Sequence, residues 1–525
     1  MIYLLSSSPC YDNDMKRKLG QWAATHEWWA LGMILTVFSG VVLGNMTRWS
    51  VWFDEAFSAY LARFNIVEIA HFTSLDVHPP LYYWLLKGWT VIFGHSALAV
   101  RSLSLAFALV GLVGLYVVVR HITKRSSYSL AAVTAVALTP VFVRFSHEAR
   151  MYTLVFAIVM WATYVLLCAM KTNRRWLWVL YGALLAVGML THYFVALAWL
   201  AHWAWRYREV CAGRVKKFFA REWVWCHVLA VGLFAVWLPT AVRQFATIQV
   251  GFWIPPITPQ TPINYLTDML FYREVAQMDG WWAIAAFIAF AVVGAVLYFG
   301  LRQFIRQSRR GGAALFVSLA IVPPILLTLL SMPPLSSSFI DRYVLYAQIA
   351  LAVIISGCLL AAAKTHPVLM RHCTIILIIV ALAGIGNVYY YGNYNKNTNK
   401  SIRISELMAN IAKSGKAGQP VVAASPWVYY EASFYSSNTY PVYYPASTIN
   451  EDYGSLAMLK EDDTGKIADL AAFAKQHRYV WYINVTENEI EPPIASWKLV
   501  KKVDAYDSIN RSVEYRAGLY DTSAE

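Results

Sequence analysis

Hydrophobic residues run through this chain in long blocks separated by short polar connections. A bilayer-spanning helix needs roughly 20 apolar residues, and blocks near that length recur from residue 29 onward. The pattern predicts spans at 29–48, 98–119, 128–144, 152–170, 223–241, 281–300, 313–332, 344–363 and 373–391, with a short pair inside 176–205. That makes about eleven crossings, in the range eleven to thirteen. The stretch 50–97 is amphipathic instead, and "LYYWLLKGWTVIF" within it reads as a helix lying in the interface, with Trp84, Lys87 and Trp89 at headgroup depth.

Connection charge sets the orientation. Lys and Arg collect in "MKRK" (15–18), "RHITKR", "KTNRR", "RYREVCAGRVKKFFARE", "LRQFIRQSRR" and "KTHPVLMRH", and alternate connections lack them. Basic connections stay in the cytoplasm, so the N-terminal segment 1–28 is expected there. The stretch 50–97 and everything beyond 395 are then expected outside. Residues 29–394 form the membrane part. Residues 395–525 change character: "VVAAS", "YVWYINV" and "VEYRAGLYD" are short β-branched and aromatic runs between polar and helical stretches, which predicts a small external α/β domain.

Composition agrees. The chain is 58% hydrophobic and 14% charged, against roughly 25% charged in soluble domains. A net charge of +14 would suit nucleic acid, but its place in the connections makes it a topology signal. None of the six cysteines lies in the tail and none shows CxxC spacing, so neither a disulfide framework there nor a thiolate zinc site is expected. "LSSSPC", ending at Cys10, has Pro9 before the cysteine and no basic residue upstream, which argues against a lipoprotein signal.

The polar residues assigned to the outer face are the candidate chemistry. Asp54 and Glu55 follow the first span; Asp76, His78 and Lys87 lie in 50–97; His147, Glu148 and Arg150 join the third and fourth spans; His192 lies in "THY"; Asp341 and Arg342 precede the tenth. Each alone has an ordinary structural explanation: a helix cap, a proline turn, an interface anchor. Five connections bringing ionisable groups to one membrane face point to a functional cavity. An acid can take the proton of a hydroxyl nucleophile, and guanidinium groups grip phosphate and stabilise it as it leaves. Outside the membrane there is no nucleotide sugar, so an activated donor must come through the lipid. There is no HExxH, P-loop, GxSxG or dinucleotide fingerprint. Three histidines and several acids could hold a divalent metal, but without characteristic ligand spacing.

"WFDEAFSAYLA", "DVHPPLYYWLLKGW", "SHEARMYTLVF", "LTHYF" and "DRYVLY" together resemble the GT-C superfamily of integral-membrane glycosyltransferases. The likeness is to the clan of protein O-mannosyltransferases and bacterial aminoarabinose transferases, over about residues 30–390. It implies a polytopic helical fold with a periplasmic C-terminal domain, in a bacterial inner membrane. It also implies inverting transfer from a polyprenyl-phosphate-linked sugar to a lipid, glycan or protein hydroxyl. On that resemblance Asp54 is the base and Glu55 positions the acceptor or orients the loop. His78, Pro79 and Pro80 line the cavity, and Arg150, Tyr152 and Arg342 grip the donor phosphate. Tyr82, Lys87, His147, Glu148, His192, Tyr193, Asp341 and Tyr343 are further substrate contacts. His147 stands where the bacterial branch usually has Gln, and His78 where the aminoarabinose branch has Lys. Some members carry a metal and others none, so the resemblance leaves a divalent cation open. A pentosyl transferase acting on lipid A, a non-catalytic glycolipid carrier and an assembly scaffold are the alternative readings.

Overall fold

The computed structural model describes residues 26–250, 253–308, 311–391, 402–437, 439–449, 454–462, 464–486, 488–507 and 512–523. Most of the segment 1–28, with its "MKRK" and Cys10, lies outside them.

Helix α1 (Glu27–Leu43) is followed by α2 (Phe53–Leu61), α3 (Ile66–Leu75) and α4 (Leu81–Phe93). Then come α5 (Ala97–Thr123), α6 (Ser126–Ala137), α7 (Pro140–Ser146), α8 (Tyr152–Thr172), α9 (Arg175–Thr191) and α10 (Val195–Cys211). They are followed by α11 (Arg221–Phe234), α12 (Leu238–Val250), α13 (Thr261–Phe271), α14 (Trp281–Gln307), α15 (Gly312–Leu330), α16 (Leu345–Ala362) and α17 (Pro367–Tyr391). The rest alternates: α18 (Ile404–Ser414), β1 (Val421–Ala423), α19 (Pro426–Phe434), β2 (Val442–Pro445), α20 (Met458–Glu461), β3 (Lys466–Ile467), α21 (Leu470–Gln476), β4 (Tyr479–Val485), β5 (Lys498–Asp507) and β6 (Ser512–Asp521).

Every apolar block expected to cross a membrane is helical. Among the described residues, six helices are long and apolar enough to span: α5, α8, α14, α15, α16 with its preceding turn, and α17. Two bent pairs, α6 with α7 at 70° and α11 with α12 at 76°, raise the number to eight if each is one span. Both bends have a proline cause. Thr139 is held extended before Pro140. Pro239, at the second position of α12, lacks the N–H that would continue α11. The other expected crossings fall on α1, α9 and α10, each 17 residues long, or about 26 Å against a hydrocarbon core of about 30 Å.

The chain divides into two compact units, residues 1–44 with 104–390 and residues 45–103 with 391–525. In the first, α16 is central, packed against α6, α14 and α15. Apolar surface gives little drive to helix association in lipid, so close backbone approach matters. It occurs where α14 meets α16: a Cβ on Gly300 would lie 2.4 Å from the Cys358 carbonyl oxygen. The same holds where α9 meets α11, with Gly182 facing the Cys226 carbonyl.

In the second unit a six-stranded sheet runs in the order β3-β2-β1-β4-β6-β5. The β1–β2, β1–β4 and β2–β3 pairs are parallel; β4–β6 and β6–β5 are antiparallel, with Trp481 opposite Leu519. Val422, Ile467, Val480, Trp497 and Tyr520 form its core. β3 and β5 are the edge strands, and on β5 Lys498, Lys501 and Lys502 discourage further pairing. This sheet unit also includes α2, α3 and α4, with α19 packed on α2.

Candidate active site

The adjacent acids at the start of α2 differ in environment. Glu55 is 1% exposed, and both its oxygens are taken by Arg101: Nε to Oε1 at 2.7 Å, Nη2 to Oε2 at 2.6 Å. The same guanidinium donates to the carbonyls of Met46 (2.7 Å), Trp49 (2.9 Å) and Ser50 (3.0 Å). One buried, always-charged side chain thus closes the loop between α1 and α2 and grips the Glu55 carboxylate through both of its oxygens. Asp54 is partly exposed, so it is the acid of the pair with solvent access. Both stand in the first turn of α2, where negative charge suits the helix dipole. Arg101 was not among the residues the motifs single out. Its signal was an arginine inside the apolar run "ALAVRSLSL", where a charge needs a buried partner.

Further along the same unit, α3 ends at Asp76, whose Oδ2 lies 3.0 Å from His78 Nδ1. Pro79 and Pro80 are buried and α4 starts immediately after them, carrying fully buried Tyr82 and Tyr83 and partly exposed Lys87. From the C-terminal part, α19 braces α2: Phe53 meets Trp427 at 4.3 Å and Phe57 meets Tyr430 at 5.6 Å between ring centroids. The Tyr435 hydroxyl accepts from the Val51 N–H at 2.7 Å. Glu431, also on α19, is buried. Burial pushes its carboxyl up to about 8, while the Phe53 N–H pulls the other way.

In the membrane unit, the turn between α7 and α8 is wholly buried, with His147, Glu148 and Arg150 each under 5% exposed. Glu148 pairs with Arg144 at 2.6 Å, and Arg144 also donates to the Tyr272 hydroxyl at 3.1 Å. The Ser104 hydroxyl donates to the carbonyls of Glu148 (2.5 Å) and Arg150 (3.2 Å), pinning the turn to α5. Beside it, three connections converge. The ring of His192 lies 4.7 Å from Tyr343 and 6.4 Å from Tyr152, and the Arg342 guanidinium carbon lies 5.8 Å from the Tyr152 ring. His192 Nδ1 accepts from the Phe194 N–H at 3.3 Å, which puts the proton of the neutral ring on Nε2. Asp341 and Arg342 stand in a short turn and are partly exposed. Tyr193 is engaged elsewhere: its hydroxyl donates to the Gln244 side-chain oxygen and accepts from Trp237 Nε1 at 2.8 Å.

The arrangement therefore sorts the sequence candidates. Glu55 and Glu148 are bound by arginines, Asp76 by His78, and Tyr152, His192, Arg342 and Tyr343 form one aromatic and cationic group. Among the described residues no three His, Cys, Asp or Glu side chains converge as a metal requires.

Residues 77–242 match the family described as Dolichyl-phosphate-mannose-protein mannosyltransferase. That segment runs from the residue before His78 through "SHEARMY" and "THY", and it excludes Asp54, Glu55 and Arg342. No curated protein matches the chain. Among solved structures, the chain is similar to ArnT from Cupriavidus metallidurans. The apo state aligns at 12% identity and TM-score 0.56, over 94% of this chain and 98% of that one. The form bound to undecaprenyl phosphate aligns at 14% identity and TM-score 0.53, over 95% and 99%. The fold is shared over nearly all of both chains, and the family match over 77–242 agrees with the mannosyltransferase side of the resemblance.

Proposed function

We propose that this chain is an inverting membrane glycosyltransferase that moves a sugar from a polyprenyl-phosphate donor to a hydroxyl acceptor. The observation that carries the reading is Asp54, the partly exposed acid next to a Glu55 fixed by Arg101, in a fold shared with an undecaprenyl-phosphate-binding relative. Asp54 takes the acceptor's hydroxyl proton as that oxygen attacks the sugar's anomeric carbon. The bond from that carbon to the phosphate oxygen breaks in the same step, which inverts the centre and releases polyprenyl phosphate. General-base assistance of this kind contributes about 10² to 10⁴ in rate. On the family resemblance, Arg342 and Arg150 are assigned to the phosphate, whose charge grows as it leaves. Glu55, with both oxygens held, keeps the loop before α2 in place instead of meeting substrate. His78, oriented by Asp76, lines the acceptor side.

The finer assignment belongs to the same proposal: a bacterial inner membrane, eleven crossings, a cytoplasmic N-terminus, and the loop 50–97 and residues 395–525 in the periplasm. Lipid, glycan and protein hydroxyls all suit the chemistry, as do hexosyl and pentosyl donors.

The test is transfer of labelled sugar from a panel of polyprenyl-phosphate sugars by purified wild type and Asp54→Asn, with an envelope extract as acceptor. Transfer by the wild type alone, with both proteins binding donor equally, supports the reading and names the sugar. Donor bound by both and consumed by neither makes the chain a carrier and removes the catalytic role from Asp54.

A further inference from the structure

A second site lies in the membrane unit, and none of the candidate active-site residues lines it. α9 and α11 cross closely at Gly182, and at one end of the pair they open into a cleft of about 400 Å³. Arg175 and Arg221, the first residues of the two helices, both line it. Among the described residues neither guanidinium has a hydrogen bond or an ion pair. Glu222 is the acid in the lining, and it has no such partner either. The remaining wall is apolar and aromatic: Trp178 is 6% exposed, Trp225 60% and Val179 57%.

Two cations at one end of a greasy slot describe an amphiphile. α8, a helix of spanning length, ends at Thr172, three residues before Arg175, so the cationic end of the cleft belongs at headgroup level. Indole rings favour the same depth. Below it, Val179, Val224 and Val228 are all more than 40% exposed along the two helices, a surface suited to an acyl chain. We propose that this cleft binds an anionic glycerophospholipid. Its phosphodiester sits between Arg175 and Arg221, its glycerol headgroup donates a hydroxyl to Glu222, and one acyl chain runs along Val179 and Trp225. The charges balance: two arginines and one glutamate leave one positive charge, and the phosphodiester supplies one negative. Guanidinium forks suit phosphate oxygens, and a charge-assisted bond at a partly desolvated site survives salt better than an exposed pair. A zwitterionic choline headgroup offers Glu222 no donor, so it binds less well. The proposal is independent of the glycosyl-transfer reading.

The experiment is native mass spectrometry of the full chain in detergent with equal amounts of phosphatidylglycerol and phosphatidylcholine of matched chains. Wild type is expected to retain phosphatidylglycerol about tenfold better. The double variant Arg175→Gln/Arg221→Gln should lose that preference. Arg174→Gln, which changes a neighbouring arginine outside the cleft, should keep it. An unchanged preference in the double variant, or equal loss in Arg174→Gln, overturns the site. A measurement on wild type alone covers a double variant that fails to fold: a photoactivatable phosphatidylglycerol should label residues 175–179 and 221–229, and labelling confined elsewhere refutes the proposal. Glycerol phosphate should not displace the lipid; displacement would make this a site for soluble phosphate and end the lipid assignment.

Discussion

Arg101 grips Glu55 fork to fork, at 2.7 and 2.6 Å, with both side chains almost wholly out of solvent. Removing one partner of such a buried pair leaves a charge without compensation, at a cost of about 3–5 kcal/mol. Arg101→Ala should therefore unfold the sheet unit at markedly lower denaturant, and Arg101→Lys, which lacks the fork and cannot reach three carbonyls as well, should recover only part of the loss. Equilibrium unfolding in mild detergent measures this. A change below about 1 kcal/mol for the alanine variant would mean that the pair is solvated and the loop is held by something else.

Arg342 lies over the ring of Tyr152, 5.8 Å from its centroid, in the group that contains His192 and Tyr343. If it holds donor phosphate, Arg342→Ala should raise the donor KM about 10- to 100-fold, the size of one charge-assisted hydrogen bond. A larger fall in kcat than in donor affinity would show that it acts on the leaving phosphate as charge develops. Steady-state kinetics against donor concentration, with Arg342→Lys alongside, separates the two. No effect on either parameter removes Arg342 from the site.

Glu431 gives a pH dependence with a definite sign. Burial raises its carboxyl from 4.5 to about 8 in the folded chain, so the folded state holds the proton more tightly than the unfolded one. Its contribution is intact below about 4.5 and is lost as pH climbs towards 8, by an amount on the order of a few kcal/mol. Glu431→Gln keeps an acceptor for the Phe53 N–H without the ionisation. The variant should match wild type in thermal midpoint at pH 5 and exceed it at pH 8.5. A gap that stays constant across that range would show that Glu431 does not titrate there.

Gly182 tests the helix crossing. A glycine in a helix ordinarily costs roughly 0.5–1 kcal/mol relative to alanine, so replacing it should help. Here the added Cβ would come 2.4 Å from the Cys226 carbonyl oxygen, and overpacking of about 1–3 kcal/mol should win. Gly182→Ala is expected to lower the melting temperature, while Gly232→Ala on α11, with nothing within 4 Å of its Cβ, should leave it unchanged or raise it slightly. Two variants that behave alike would show that the crossing relaxes freely.

Hydropathy makes the helical segments legible, including the two short helices of 176–205, which appear as α9 and α10. It does not show breaks. Spans read as continuous at 128–144 and 223–241 divide at Thr139–Pro140 and before Pro239, because a proline changes backbone hydrogen bonding without changing apolarity. In the tail, β1, β4 and β6 coincide with the apolar runs, whereas β5, "KLVKKVDAYD", is concealed by its lysines, which belong to an exposed edge. The acids of α2 were visible as a pair, but their difference was not. It depends on Arg101, 46 residues further on, and on α19, far along the chain.

The sheet unit is stitched from segments made at very different times. Phe53 and Phe57 on α2 are covered by Trp427 and Tyr430 of α19, and β6 slots between β4 and β5 only after both exist. At about 5–20 residues per second, the ribosome needs tens of seconds between α2 and α19, while the helices from α3 to α18 are laid down. Throughout that interval the bearing surface of α2 waits uncovered, and β4 keeps an open edge until residue 521 emerges. The stretch that carries Asp54 is thus among the first to be synthesised and among the last to be assembled. A chain arrested before residue 426 would hold its acids on a helix with no brace.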